Sequence, residues 1–161
     1  MKINYLHTFG YWAAARAIHN PKNPGIKTKQ IKVAIEKSGL YDLMINPKKL
    51  KNFDTVHHEI ASSLMKELKL NQDKFGIVAK IIAIYLKATV IIPARIDNQI
   101  VNKIYPPIDS NNLKRISGVK KEKWTELKEK KFKEVIDALK LQLKVSKSNF
   151  IEFESGVDLT T

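Results

Sequence analysis

The stretch "IVAKIIAIYLK", Ile77 to Lys87, decides the fold. Its residues are apolar almost all round a helical wheel, and a helix of that kind is buried in a protein core. Lys80 and Lys87 interrupt the apolar run, which leaves it too short and too broken to span a bilayer. We therefore predict a central buried helix, around which other helices pack.

Helical patterns continue on both sides of this stretch. We predict a first helix over residues 3–19, a second from an N-cap at Thr28 to a stop at Gly39, and a third capped by Asp54 or Thr55. A long helix at about 122–144 follows later in the chain. The apolar residues of this long helix share one face: Phe132, Val135, Ile136, Leu139 and Leu143. In the second helix, Ile31, Ala34 and Ile35 share one face in the same way.

These patterns predict an all-α, compact, multi-helix fold. The sequence shows no internal repeat, low-complexity tract or domain boundary, so we predict a single helical domain over residues 1–161. Two segments also allow short extended structure, residues 89–93 for their β-branched content and residues 149–154 for their alternation. In the first segment, Pro93 and the spacing equally allow loops and a short helix.

Composition limits the partners. The chain carries 29 Lys+Arg against 16 Asp+Glu, a net charge of +13, and such a field attracts polyanions. Nucleic acid is the commonest polyanion and an anionic membrane surface the next. The excess is mostly lysine, which favours phosphate contacts over base reading. The alternative is a surface whose charge serves solubility alone.

The absence of cysteine excludes disulfides and thiolate metal sites. The first residues, "MKINYLHTFGYW", have no continuous apolar signal core, so we expect a cytoplasmic protein without a membrane partner. His57, His58 and Glu59 are adjacent, which is poor spacing for ligands on a helix. We predict no metal and no cofactor.

Residues 64–87 predict two helices joined by a tight polar turn at 71–76. The N-terminal end of the second helix can point N–H groups at a phosphate, Gly76 permits close backbone approach, and Lys74 adds a cation. On these residues alone, an ordinary pair of antiparallel helices is the commoner explanation of the pattern.

Lys80 is the unusual residue of the buried helix. An amine among isoleucines is partly desolvated, which lowers its pKa and makes it a better nucleophile. Alternatively, Lys80 and Lys87 share the single wet stripe of the helix.

Asp109 stands in "IYPPIDSNNLKRI", Ile104 to Ile116, where Pro106 and Pro107 lead into a short helix. One interpretation is an N-cap, which stabilises a helix by roughly 1 kcal/mol. The other is a catalytic carboxylate that the helix start keeps ionised.

The order of a glycine-containing turn, an apolar helix with a lysine, and "PPIDSNNLKRI" resembles the helix-hairpin-helix DNA glycosylase superfamily, particularly its 8-oxoguanine-type and archaeal branches. The likeness covers about residues 64–116. It departs from the family in having Gly76 alone where a glycine-x-glycine turn is usual, and in a long separation between lysine and aspartate.

The resemblance implies a DNA glycosylase/AP-lyase-like enzyme that binds duplex DNA in base-excision repair. By that likeness Asp109 matches the family's catalytic aspartate and Lys80 its nucleophilic lysine, with Lys74 as a rival. The expected nucleic-acid contacts come from Lys74, Gly76, Lys114 and Arg115. Arg16, which is expected beside a tight packing face of the first helix, is a further expected contact. The alternatives are a non-catalytic nucleic-acid-binding module and a helical interaction protein.

Overall fold

The computed structural model describes residues 3–19, 25–119 and 122–156. These residues form nine α-helices and no strand, so the all-α prediction is confirmed. The helices are α1 (Ile3–Ile18), α2 (Thr28–Lys37), α3 (Leu40–Ile45), α4 (Phe53–Glu67), α5 (Phe75–Leu86), α6 (Asn98–Val101), α7 (Ser110–Arg115), α8 (Glu129–Ser146) and α9 (Phe150–Glu154).

Helix α5 is the centre of the fold, as its apolar pattern predicts. Ten of its twelve residues are buried, and α1, α4 and α8 all pack against it. Fully burying a side chain such as Ile81 or Leu86 contributes about 1.5–3 kcal/mol. The one buried charge on this helix is Lys80.

Helix α1 approaches α5 closely because Gly10 has no side chain. A Cβ at this position would lie 2.4 Å from the Thr89 methyl carbon and 2.8 Å from the Tyr85 ring. Ala14 and Ala15 of α1 are also buried. The small residues of the first helix therefore serve packing.

Neither of the two segments that allowed extended structure forms a strand. Helix α5 runs on into a π-helical turn over Lys87–Ile91, where Val90 is buried in the core and the Thr89 hydroxyl donates to the Tyr85 carbonyl at 2.7 Å. Burial of these residues outweighs their β-branched preference. Residues 150–154 form α9, which begins at an Asn149–Glu152 capping box.

One predicted helix end is confirmed, and two others lie elsewhere. The stop at Gly39 is confirmed, with φ +85 at the glycine and the last α2 residue at Lys37. Helix α4 begins at Phe53, before both predicted caps. Helix α8 begins only at Glu129, because residues 124–126 form a separate 3₁₀ turn whose following residue, Leu127, is buried.

Helices α4 and α5 are separated by a polar break that includes a 3₁₀ turn at Gln72–Lys74, as predicted. Gly76, however, lies inside the first turn of α5 and not in the connection. The arrangement therefore shows two packed helices without showing a helix-hairpin-helix.

Candidate functional site

Lys80 and Asp109 form an ion pair. Lys80 Nζ lies 3.6 Å from Asp109 Oδ2. Lys80 is only 8% exposed, whereas the Asp109 side chain keeps 33% of its surface. The pair therefore joins a buried amine on α5 to a carboxylate at the protein surface.

The two oxygens of Asp109 have different partners. Oδ1 accepts the backbone N–H groups of Asn111 and Asn112, each at 3.0 Å, and so caps α7. Oδ2 faces Lys80. The side chain of Asn112 donates to the Pro107 carbonyl at 2.6 Å, which ties the proline segment to the helix start. Asp109 is thus a helix cap and an ion-pair partner at once.

Trp124 completes the site and was not predicted. Lys80 Nζ lies 4.3 Å from the centroid of its ring, a cation–π distance. Because Trp124 is far from both partners in sequence, no local pattern indicates the contact. The ammonium of Lys80 is therefore held between an indole ring and a carboxylate.

Gly76 explains why Trp124 lies there. Its backbone N–H donates to the Leu127 carbonyl at 3.0 Å, and a Cβ at position 76 would lie 1.9 Å from the Trp124 carbonyl oxygen. The segment 124–127 packs on the start of α5 through this glycine. This is a correction: the backbone of Gly76, which we expected a phosphate to approach closely, is already covered by this segment.

Burial lowers the pKa of Lys80, while the Asp109 carboxylate acts in the opposite direction, and the net pKa lies below its usual value. Burial disfavours the charged form of an amine, so a larger fraction of Lys80 is neutral at a given pH than for an exposed lysine. A neutral amine is the nucleophilic form.

The other predicted cations have separate positions. Lys74 pairs with its neighbour Asp73 at 3.6 Å and not with Asp109. Lys114 is exposed on α7. Arg115 donates to the Phe153 carbonyl and lies 4.5 Å over the Phe153 ring, so it holds α9 against α7. The structure brings together Lys80 and Asp109 from the predicted set.

Arg16 is exposed on α1, directly after the buried Ala14 and Ala15, and its guanidinium carbon lies 6.0 Å from the ring centroid of Trp12. Trp12 is itself 51% exposed. Tyr11 instead packs edge-on against His7 at 5.2 Å. Arg16 therefore belongs to an outer face of α1.

His7 belongs to a buried polar network that the sequence did not indicate. Its Nδ1 lies 2.9 Å from the Tyr85 hydroxyl and its Nε2 lies 3.1 Å from Glu36 Oε1. The network links α1, α2 and α5, and it satisfies polar groups that would otherwise be unpaired in the core.

The described residues form neither a metal-binding cluster nor a membrane-spanning helix. Among them, no three His, Cys, Asp or Glu side chains are grouped so as to hold a metal ion. Within the same part of the chain, every helix lacks the length or the apolarity needed to cross a bilayer.

Comparison of the chain with protein-family models, curated proteins and solved structures found no match.

Proposed function

We propose that this protein is a nucleic-acid-binding enzyme of the DNA glycosylase/AP-lyase type, with Lys80 as nucleophile and Asp109 as its assisting carboxylate. The observation that carries the proposal is the 3.6 Å contact between Lys80 Nζ and Asp109 Oδ2. Active sites are where burial and a charge partner act together on one ionisable group.

The chemistry assigned to each residue follows from its surroundings. Lys80, neutral after giving up a proton, attacks the sugar carbon that bears the base, and the bond from that carbon to the base breaks. Asp109 stabilises the positive charge that develops on the sugar. Its two backbone hydrogen bonds fix the carboxylate in place for this role.

The sugar ring then opens at its C1′–O4′ bond, O4′ takes up a proton, and a Schiff base remains between Lys80 and C1′. Loss of a proton from C2′ to solvent with departure of the 3′ phosphate breaks the strand. Reaction with a base in duplex DNA requires that the nucleotide first leaves the stack. Because the Trp124 ring covers the amine, the ring must move away from Lys80 when the sugar binds. An abasic site needs no base removal and is the simplest substrate.

A non-catalytic nucleic-acid-binding module is the second candidate, and one observation favours it. Asp109 already caps α7, and the Lys80 ammonium already has both a carboxylate and an aromatic partner. These contacts account for both residues as elements of stability. The two candidates differ in whether Lys80 reacts.

The test is borohydride trapping of a covalent adduct with a duplex that contains one abasic site. We expect an adduct from the wild type and from Lys74→Ala, and none from Lys80→Met, whose side chain suits an apolar helix. Asp109→Asn should reduce trapping strongly while the fold is retained, because asparagine caps helices about as well as aspartate.

Melting temperatures of all variants identify any loss that reflects unfolding. An adduct that persists in folded Lys80→Met would refute the assignment of the nucleophile. An adduct lost in Lys74→Ala would keep the enzyme class and move the nucleophile to Lys74. No adduct from wild type with abasic DNA or with several damaged bases would leave the binding module as the function.

A further inference from the structure

A second feature, whose lining includes none of Lys80, Asp109 and Trp124, is a lysine-lined cleft of about 700 Å³. Its walls come from the start of α4, from the residues after α6, and from the end of α8 with the start of α9. Four lysines line it: Lys51, Lys103, Lys140 and Lys144. Asp54 is the single acidic residue of the lining. We call this feature the lysine cleft.

Within the part of the chain that the structure describes, three of the four lysines of the cleft have no carboxylate partner. Of these four, Lys140 pairs with an acid, Asp54 at 3.6 Å. Lys103 Nζ donates to the Lys51 backbone carbonyl at 3.4 Å, and the described carboxylates leave Lys51 and Lys144 unpaired. The cleft thus concentrates positive charge that the protein does not neutralise.

The remaining lining is suited to a ligand with both phosphate and neutral polar groups. Asn102, Thr55 and Ser148 contribute amide and hydroxyl groups between the lysines. Lysines together with such amides and hydroxyls are the side chains that contact phosphate and sugar in nucleic-acid complexes. Phe53 and Phe150, both almost fully buried, supply an apolar floor.

Lys140 and Lys144 are one helical turn apart on α8, which separates them by roughly 6 Å along the axis. Successive cations on one wall fit successive negative charges along a chain better than one isolated anion. A concave wall also fits a strand better than it fits a flat lipid surface.

We propose that the lysine cleft binds the sugar–phosphate backbone of a nucleic-acid strand. The inference rests on the nucleic-acid partner of the proposed function and is independent of the chemistry at Lys80. The cleft supplies position and affinity without reading sequence, since backbone contacts carry no base information.

The test compares two double variants of equal net charge. Lys51→Gln with Lys144→Gln removes two cations from the cleft. Lys29→Gln with Lys66→Gln, the matched control, removes two exposed lysines outside it. Anisotropy of a labelled oligonucleotide, as single strand and as duplex, is measured against salt concentration for wild type and both variants, after their melting temperatures are compared.

We expect the cleft variant to bind about tenfold or more weakly at low salt, and its slope of log affinity against log salt to fall by about 2, one for each lost phosphate contact. The control should stay close to wild type. Equal losses in both variants would overturn the cleft and leave only diffuse charge. Binding of tripolyphosphate or of anionic vesicles in the absence of any oligonucleotide binding would overturn the nucleic-acid assignment.

The two proposals fail separately. If trapping at Lys80 succeeds while the cleft and control variants bind alike, the cleft inference is wrong and the enzyme stands. If the cleft variant alone loses binding while wild type forms no adduct, the cleft stands and the lyase chemistry is wrong.

Discussion

At the scale of single residues, Asp109 shows how far local sequence reaches. Its capping role could be predicted from "PPID" and the helical pattern after it, because a cap depends on neighbours in the chain. Its contact with Lys80 was suggested only by a family resemblance. The contact between Lys80 and Trp124 depends on tertiary packing, and no residue near Lys80 or Asp109 in sequence indicates it.

His57 is a second residue whose position decides its chemistry. Its ring stacks on Phe132 with centroids 5.5 Å apart and planes 4° apart, and Tyr105 meets its ring at an edge. Its Nε2 is buried without a hydrogen-bond partner. Burial lowers its pKa from the usual 6.5 to about 4, so the folded protein holds this histidine neutral.

We predict that this histidine makes the fold acid-sensitive. Because its folded pKa lies below its unfolded pKa, the unfolded chain binds the proton more tightly. Its contribution to stability is therefore complete above pH 6.5 and is lost as the pH falls towards 4. The loss from this one residue is roughly 3 kcal/mol.

Urea unfolding at several pH values measures the effect. His57→Phe should flatten the dependence between pH 6.5 and 4, whereas His19→Gln, which changes an exposed histidine, should not. An unchanged pH profile in folded His57→Phe would show that other groups carry the acid sensitivity.

At the scale of elements, periodicity predicted which stretches are helical but not where they end. The buried faces of α2 and α8 are as predicted, because apolar spacing reports directly on packing. The ends of α4 and α8 depend on contacts with other segments. The tail helix α9 could have been recognised from Asn149 followed three residues later by Glu152, a capping box that alternation concealed.

The start of α5 and the 124–127 segment form one packed unit through Gly76. We predict that Gly76→Ala destabilises the protein by about 3 kcal/mol, because the new Cβ would meet a backbone oxygen that cannot move independently. Gly118→Ala is the control: it has φ +84 and open space around its Cβ, so it should cost only about 1 kcal/mol of left-handed strain.

Denaturant unfolding of the two variants gives both numbers. Equal stabilities for Gly76→Ala and Gly118→Ala would show that residues 124–127 shift without cost. A folded Gly76→Ala protein would also show a displaced Trp124 and hence a more exposed Lys80.

At the scale of the whole molecule, composition predicted the charge but not its arrangement. The net charge of +13 is evident from the sequence, whereas the lysine cleft draws on segments near residues 51, 103 and 144 that only the fold assembles. The expected phosphate contact at Gly76 is wrong for the same reason. The segment 124–127, which covers the backbone of Gly76, lies far from Gly76 along the chain.

We predict that the protein binds duplex DNA with a steep dependence on salt. If six or more phosphates are contacted, affinity should fall by about a thousandfold between 50 and 200 mM salt. Titrations of one duplex across that range measure the slope, with an uncharged polymer as the control ligand. Absence of binding at the lowest salt would mean that the charge serves solubility.

The cation over Trp124 also gives the protein an optical signal. The chain has two tryptophans, and Trp12 is half-exposed on α1 while Trp124 faces the Lys80 ammonium. In a Trp12→Phe variant, all indole emission would come from the ring that contacts this amine. Loss of a proton from Lys80, or formation of a bond to it, removes or moves the charge against that ring, so intrinsic fluorescence would report the state of the amine without a label.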